Sequence, residues 1–193
     1  MIDVTLVLLS LPFTLPLIGV MAFALWRENG LSFYTQDRVG RNGTTFRILK
    51  LRTMVPNAAE ALTQHLANNP AARDEWNRLQ KLKDDPRVTP VGRILRATSL
   101  DELPQLWNVF TGDMSLVGPR PMLPEQLPLY GAPQSYFALR PGITGLWQVS
   151  ARNSQEFAFR NTLDARYEEN LSAATDITIL FKTVGVVLRR TGH

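Results

Sequence analysis

The chain of 193 residues contains no cysteine, which excludes disulfides and thiolate metal sites. Histidine is almost as scarce: His65 and His193 are the two present, and the second is the last residue. A zinc site or a Ser-His-Asp triad is therefore not expected. Any catalysis must rest on carboxylates, arginines, hydroxyls or a hard metal ion.

Internal repeats and low-complexity linkers are also absent, so the length fits one domain with a hydrophobic core. We divide the chain into an apolar membrane segment at 1–29 and a folded domain at 30–193. The formal net charge of +4 and the sequence pI of about 9.8 suit an anionic partner. Nucleic acid, an acidic membrane face and phosphorylated substrates all meet that description.

The first segment raises the question of the membrane. No charged residue occurs from Val4 to Trp26, and at about 1.5 Å per residue this length crosses a hydrocarbon core. A signal peptide would carry Lys or Arg before the apolar run, where only Asp3 stands. A spanning helix and a re-entrant helix that bends within one leaflet remain. Pro12 and Pro16 predict a bend, although kinked helices also span membranes.

The charged residues that follow the apolar run are mainly basic. The basic ones are Arg27, Arg38, Arg41, Arg47, Lys50 and Arg52. By the positive-inside tendency, this side of the segment is expected in the cytoplasm.

Local signals predict short elements along the rest of the chain. Strands are expected at 31–34 and 45–51, around an Asn-Gly turn at 40–43. Helices are expected at 57–83 with a break at Asn69-Pro70, and at 90–97, 100–110 and 154–169. Loops are expected at 112–124 and 140–145, which contain Gly and Pro.

The tail from 175 to 190 has apolar residues at helical spacing. They are Ile177, Leu180, Phe181, Val184 and Leu188. The favoured interpretation is an amphipathic helix that faces the core. The alternative is a helix that lies on the membrane surface.

The segment from Ser99 to Glu102 has two interpretations. In one it is a capping box, in which Ser99 caps a helix and Glu102 reaches back to the Ser99 N–H. In the other, Asp101 and Glu102 form a functional carboxylate pair. Adjacent carboxylates can bind Mg²⁺ that bridges phosphates, and a carboxylate can also attack phosphorus.

Arginines surround this carboxylate pair in the sequence. They are Arg87, Arg93 and Arg96 before it and Arg120 after it. Because a guanidinium fork matches a phosphate, their density beside Gly/Pro loops favours an anion site.

Several runs along nearly the whole chain resemble the bacterial sugar transferase family, the small monotopic phosphoglycosyl transferases that begin polysaccharide and glycoconjugate assembly. The runs are Phe33–Gln36, Arg38–Gly40, Phe46–Met54, Ser99–Val109, Gly112–Pro121, Arg140–Val149 and Ala151–Asn153. Their order and spacing match the family, which favours the functional interpretation of Asp101 and Glu102. Ser99 would then cap the helix that presents Asp101.

The resemblance implies a two-step reaction. The aspartate that matches Asp101 attacks the β-phosphorus of a UDP-sugar and expels UMP. Polyprenyl (undecaprenyl) phosphate then attacks the sugar-phosphoryl aspartate, and a polyprenyl diphosphate sugar results. Mg²⁺ is the implied cofactor, with Asp101 as its ligand and Glu102 assisting at the pair or at the metal. The candidates for phosphate or uridine binding are Arg96, Arg120, Arg140 and Arg152.

The resemblance also implies an α/β fold, mostly helical: a single compact domain on the cytoplasmic face of the bacterial inner membrane. Its N-terminal helix would be re-entrant and Pro-broken, with Leu15-Pro16 at the family's small-residue–Pro pair and Pro12 as an additional break. Amphipathic interfacial helices are expected too. The chain would be the minimal catalytic form, without the spanning helices that larger relatives prepend. A homo-oligomer is compatible with the sequence.

Three other functions compete with this one. A non-catalytic membrane-anchored scaffold would not need both Asp101 and Glu102. A nucleic-acid binder would need a basic face interleaved with aromatic residues, which is not evident. A glycosyltransferase that passes the sugar alone would have a different fold, and no nucleotide-binding βαβ unit is apparent.

Overall fold

Helices make up most of the computed structural model, which describes residues 2–150 and 157–189. The α-helices are α1 (Ile2–Asn29), α2 (Ala58–Asn68), α3 (Pro70–Leu79), α4 (Pro90–Ala97), α5 (Leu106–Thr111), α6 (Leu127–Tyr130), α7 (Gln134–Ala138), α8 (Leu146–Ser150), α9 (Phe159–Glu169) and α10 (Ala173–Leu188). The strands are β1 (Phe33–Val39), β2 (Thr45–Leu51), β3 (Ser115–Val117) and β4 (Gly142–Thr144). Short 3₁₀ helices cover Arg41–Gly43, Leu100–Gln105 and Pro124–Gln126. A mostly helical fold with some strand is therefore confirmed.

The first sheet is a hairpin of β1 and β2. The strands are antiparallel, with Phe33 opposite Leu51 and Val39 opposite Thr45. The turn between them contains Asn42 at φ 58°, a conformation that asparagine tolerates well. The predicted bounds of β2 are confirmed, whereas β1 extends five residues beyond the predicted end at 34.

The second sheet pairs β3 with β4 in parallel, and it corrects the prediction of loops at 112–124 and 140–145. Each strand has three residues, too few for alternation to be visible among the Gly and Pro signals. The chain after β3 runs directly against β4, because Gly118 N–H donates to the Thr144 carbonyl at 2.9 Å. A Cβ at Gly118 would clash with the Arg140 carbonyl oxygen.

The helices before the carboxylate pair follow their local signals. Asn69 caps α3 and Thr89 caps α4, and a proline occupies the first turn in both. The bounds predicted for α4 are confirmed. The helix predicted over 100–110 consists of the 3₁₀ helix Leu100–Gln105 followed by α5, since Pro104 has no N–H to donate.

Helix α1 continues from Ile2 to Asn29 through both Pro12 and Pro16. It is long and apolar enough to cross a membrane, with a mean hydropathy of 2.2 over its most apolar window, of which only 11% is buried. Most of its apolar side chains are therefore open to the surroundings. Ser10 and Thr14 donate their hydroxyls to carbonyls within the helix, at 2.7 and 3.1 Å.

One face of α1 lies against the rest of the domain from end to end. Near the start, Asp3 accepts a hydrogen bond from the Ser115 hydroxyl at 2.8 Å. Near the end, Glu28 accepts one from the Val91 N–H at 3.0 Å. Between these contacts, buried side chains of α1 join two core clusters. Val7 packs with Ile48, Val109 and Met114, whereas Met21 and Leu25 pack with Leu51 and Leu95.

Helix α10 shows that the core-facing interpretation of the tail is wrong. Of the predicted stripe, Ile177, Phe181, Val184 and Leu188 are exposed. The buried side chain is Ile179, on the opposite face, where it packs with Val117 and Tyr167. Leu180, the fifth residue of the stripe, is partly buried and packs against the same cluster. The other four point away from the core, as in the membrane-surface alternative.

Candidate active site

Asp101 and Glu102 lie in the 3₁₀ helix Leu100–Gln105, directly after α4. Ser99 precedes them in the left-handed region, at φ 56°, and its side chain makes no capping hydrogen bond. The capping box is therefore wrong, and so is Ser99 as the cap of the segment that presents Asp101. Glu102 donates its backbone N–H to the Ser99 carbonyl, while its side chain turns toward partners far away in the sequence.

Both carboxylates are buried, with 7% of Asp101 and 6% of Glu102 exposed. Glu102 Oε1 accepts from Lys50 Nζ at 2.7 Å and from Arg120 Nη2 at 2.8 Å. Among the described residues, none makes a hydrogen bond or an ion pair with the Asp101 carboxylate. The pair is thus asymmetric: Glu102 is fixed between two cations, and Asp101 is left for another group.

Lys50 reaches Glu102 because β2 is fastened beside α5. The side chain of Asn108 accepts from Leu49 N–H at 3.0 Å and donates to the Arg47 carbonyl at 2.7 Å. These two bonds give partners to one N–H and one carbonyl on the edge of β2 that does not pair with β1. Lys50 follows buried Ile48 by two positions along the strand, so both side chains lie on the same, inward face.

Arg120 is positioned by the contact between its loop and β4. In addition to the Gly118 bond, Gly142 N–H donates to the Pro119 carbonyl at 2.8 Å. Both bonds immediately precede Arg120 and hold its backbone. The guanidinium then bridges both oxygens of Glu102, at 2.8 Å and 3.4 Å.

Arg96 comes from the last turn of α4, on the side of Asp101. Its Nε donates to the Thr53 hydroxyl at 2.9 Å. Helix α4 approaches Thr53 so closely that a Cβ at Gly92 would clash with the Thr53 carbonyl oxygen. Burial lowers the pKa of Arg96, and the nearby charge of Asp101 opposes this shift.

Burial dominates the electrostatics of the site. It raises the pKa of Asp101, and the nearby cation of Lys50 opposes this shift. It lowers the pKa of Lys50, against the attraction of Glu102. Desolvation disfavours the charged form of each group. Opposite charges in contact therefore offset part of the cost of burying charge.

Sequence reasoning missed two arginines that approach this site. Burial, and then repulsion from Arg120, lowers the pKa of Arg38 to about 10 and that of Arg160 to about 9. Arg160 lies 4.0 Å from the ring centroid of Trp147 and 4.4 Å from that of Phe157. Arg38 and Lys50 were read as charges that flank the membrane segment. The alternation of side chains along β2 could have indicated that Lys50 faces inward, but no local signal marked Arg160.

The site as a whole carries more positive than negative charge. Its basic side chains are Arg38, Lys50, Arg96, Arg120 and Arg160, and its carboxylates are Asp101, Glu102 and Asp164. With all of them ionised, two positive charges are in excess. Because these basic side chains are partly buried, such an excess favours an anion with about two negative charges, such as a diphosphate.

A magnesium ion at this site would need oxygen ligands. Among residues 2–150 and 157–189, no group of three His, Asp or Glu side chains converges on a metal position. Among the described residues, none makes a hydrogen bond or an ion pair with the Asp101 carboxylate, so its oxygens are the ones that could serve as ligands to an ion. Mg²⁺ commonly takes one or two carboxylates and completes its octahedron with water and phosphate oxygens.

The structure brings together some of the predicted residues. Asp101, Glu102, Arg96 and Arg120 form the site. Arg140 is exposed, and it approaches the Arg120 loop through its backbone carbonyl. Arg152 lies outside the described residues.

The sequence model of the bacterial sugar transferase family matches residues 1–190, so the chain belongs to this family. The UDP-galactose-lipid carrier transferase of Erwinia amylovora is 50% identical over 179 residues, which are 92% of this chain and 38% of that protein. The undecaprenyl-phosphate galactose phosphotransferase of Salmonella typhimurium is 48% identical over 191 residues, 98% of this chain and 40% of that protein.

A relative of more similar length is the exopolysaccharide production protein ExoY of Sinorhizobium fredii. It is 46% identical over 187 residues, which are 96% of this chain and 83% of that protein. The chain therefore spans about two fifths of the first two relatives and most of the third.

Proposed function

We propose that this chain transfers a sugar 1-phosphate from a UDP-sugar to undecaprenyl phosphate and releases UMP. The observation that carries the proposal is the buried pair in which Glu102 is held by Lys50 and Arg120, while no described residue makes a hydrogen bond or an ion pair with the Asp101 carboxylate. A scaffold would gain nothing from burying this pair, because burying charges costs several kcal/mol per ion. The names of the Salmonella and Erwinia relatives describe the same type of reaction.

The reaction proceeds through a covalent aspartate. In the first step, an oxygen of Asp101 attacks the β-phosphorus of the UDP-sugar. The bond from that phosphorus to the oxygen it shares with the α-phosphate breaks, and UMP leaves with the electron pair. In the second step, a phosphate oxygen of undecaprenyl phosphate attacks the same phosphorus, and Asp101 leaves as a carboxylate. Each step replaces one P–O bond by another.

The remaining side chains hold charge in place. Glu102 is a positioning residue, because its ion pairs fix the direction of Lys50 and Arg120. These cations and Arg96 offset the charge that develops on the transferred phosphoryl group. Asp101 would hold a Mg²⁺ ion at this site, and such an ion would supply charge neutralisation for the phosphates.

The contacts of α1 favour a re-entrant helix over a spanning one. Asp3 and Glu28 lie at opposite ends of α1, yet both hydrogen-bond to the same domain. A helix that crossed the bilayer would draw those polar contacts into hydrocarbon, where unpaired groups are costly. We infer that α1 dips into one leaflet, bends near Pro12 and Pro16, and returns. The domain then faces the cytoplasm at the inner membrane, and α10 lies at the interface.

UMP release tests the proposal directly. Purified protein is mixed with undecaprenyl phosphate, Mg²⁺ and a panel of UDP-sugars that begins with galactose and glucose. We expect UMP from one sugar, dependence on Mg²⁺, and loss of release in Asp101→Asn. The control is Asp37→Asn, which changes an exposed carboxylate and should retain activity. Release of UDP would indicate transfer of the sugar alone and would contradict the proposal.

A further inference from the structure

We propose that Arg160, Arg38 and the indole N–H of Trp147 bind the nucleotide side of the donor, at the α-phosphate that leaves within UMP. This inference rests on the proposed function of the same site. It assigns a role to residues that the transfer step itself does not use.

Arg160 and Trp147 present two buried donors at one place. The guanidinium lies 4.0 Å from the centroid of the indole ring. Arg160 Nε and Trp147 Nε1 are both buried, and neither has a hydrogen-bond partner among the described residues. Buried donors normally find a partner, so an unpaired pair calls for an acceptor. An oxyanion would supply acceptors to both.

Arg38, on β1, adds a third donor. Its Nη2 donates to Gln36 at 2.7 Å and its Nη1 to the Pro121 carbonyl at 3.3 Å, but its Nε is also buried without a partner. Arg38 and Arg160 both repel Arg120. Such a group of partly buried guanidinium ions is unfavourable by itself and becomes favourable with a bound anion. The donors and the charges therefore point to the same ligand chemistry.

The two ends of the site differ in whether they lie beside α1. Arg38 adjoins Val39, and Arg160 lies against Phe157. Both apolar residues belong to a core cluster that contains no residue of α1. On the opposite side, Arg96 follows Leu95, which packs against Met21 and Leu25 of α1. The Arg96 end of the site is thus beside the membrane helix, and the Arg160 end is away from it.

A lipid phosphate must enter from the membrane, whereas a nucleotide comes from water. The lipid chain of the acceptor is therefore expected to enter from the end beside α1, near Arg96. The α-phosphate of the donor takes the far end, and Asp101 attacks the β-phosphorus from the side opposite the leaving UMP. Arg160 and Arg38 would then stabilise UMP as it leaves, and the acceptor phosphate afterwards takes the vacated position in line with Asp101.

The test compares Arg160→Gln, Arg160→Lys and Arg166→Gln in the full chain. Arg166 is an exposed arginine on the same helix, so it is the matched control. Initial rates are measured against the UDP-sugar and against undecaprenyl phosphate, and UMP binding is measured by calorimetry. For Arg160→Gln, we expect the KM for the UDP-sugar and the Kd for UMP to rise about tenfold, the usual effect of losing a charged hydrogen bond. Arg160→Lys should restore part of the affinity, and Arg166→Gln should leave the Kd for UMP unchanged.

A second variant guards against misfolding. Trp147→Phe keeps an aromatic ring beside Arg160 but removes the indole N–H, and it should also weaken UMP binding. A rise in the KM for undecaprenyl phosphate alone would overturn the inference, as would unchanged UMP binding in both Arg160→Gln and Trp147→Phe. If the wild type turns over no UDP-sugar but binds UMP through Arg160, the inference stands and the proposed function fails.

Discussion

Lys50 on β2 and Glu102 in the 3₁₀ helix after α4 form a buried ion pair, with 2.7 Å between Nζ and Oε1. The two residues are 52 positions apart in the sequence. Arg120 completes the group from a third element, at 2.8 Å. This relationship ties the hairpin, the carboxylate pair and the loop after β3 into one site.

Glu102→Gln should destabilise the protein strongly. The substitution keeps the shape of the side chain but leaves Lys50 and Arg120 buried without their counter-charge. Removing one partner of a buried pair costs about 3–5 kcal/mol, and this loss should appear in urea unfolding in detergent. Asp37→Asn breaks a pair with Arg47 whose side chains are 57% and 76% exposed. It should cost less than about 1 kcal/mol, and equal losses in the two variants would refute the argument.

Asp164 should make stability fall as the pH rises from about 4 to about 6. Burial raises the pKa of Asp164 to about 6, whereas an unfolded aspartate has a pKa of about 3.9. The native state therefore binds more protons within this window, and its stability decreases as the proton is lost.

Asp164→Asn should remove that part of the pH dependence. An asparagine oxygen can still accept from the Tyr130 hydroxyl, which donates to Asp164 at 2.6 Å. Between pH 4 and pH 7, the unfolding free energy of the variant should rise relative to that of the wild type by on the order of 2 kcal/mol. Glu169→Gln, an exposed change on the same helix, should follow the wild-type curve. Parallel curves for Asp164→Asn and the wild type would contradict the assignment.

Phe181 and Ile179, two positions apart on α10, should have opposite effects. Phe181 is 75% exposed and Ile179 is 2% exposed. Phe181→Asp should reduce flotation with anionic vesicles and leave the unfolding free energy nearly unchanged, because the proposed position of α10 puts this exposed side chain against lipid. Ile179→Ala should leave flotation nearly unchanged and lower the unfolding free energy by about 2–5 kcal/mol. Vesicle binding that resists Phe181→Asp would exclude α10 from the interface.

Single cysteines can report on the topology of α1, since the chain has none of its own. Ile2 and Arg27 are exposed near the two ends of the helix. In Ile2→Cys and Arg27→Cys, a membrane-impermeant maleimide should label both positions in inverted inner-membrane vesicles and neither in intact spheroplasts. Labelling of Ile2→Cys from the outside alone would mean that α1 spans the membrane.

Local signals allowed part of the fold to be predicted from the sequence. The Asn-Gly turn helped to place β2, and the helix α4 was predicted with its observed bounds, Pro90–Ala97. The pairing of β3 with β4 joins residues 115–117 to 142–144, and no local pattern reports such a contact. The exposed stripe of α10 was predicted as a helix but assigned to the wrong side, because periodicity alone does not say what covers a face.

The candidate site shows the same division. Resemblance to a family identified Asp101, Glu102 and Arg120, but the partners of Glu102 were misjudged. A capping box uses neighbours three residues apart, whereas the real partners come from β2 and from the loop after β3. Arg160 lies in a helix with ordinary composition, so its place beside Trp147 emerged only from the folded chain.

The most direct test of the central claim is a single turnover without the lipid acceptor. Protein is mixed with Mg²⁺ and the active UDP-sugar, and both UMP and the intact protein mass are measured. Covalent transfer to Asp101 predicts a burst of one UMP per active site and a protein heavier by one sugar phosphate, with both signals absent in Asp101→Asn. UMP that appears only after undecaprenyl phosphate is added, with no change in protein mass, would contradict the covalent aspartate.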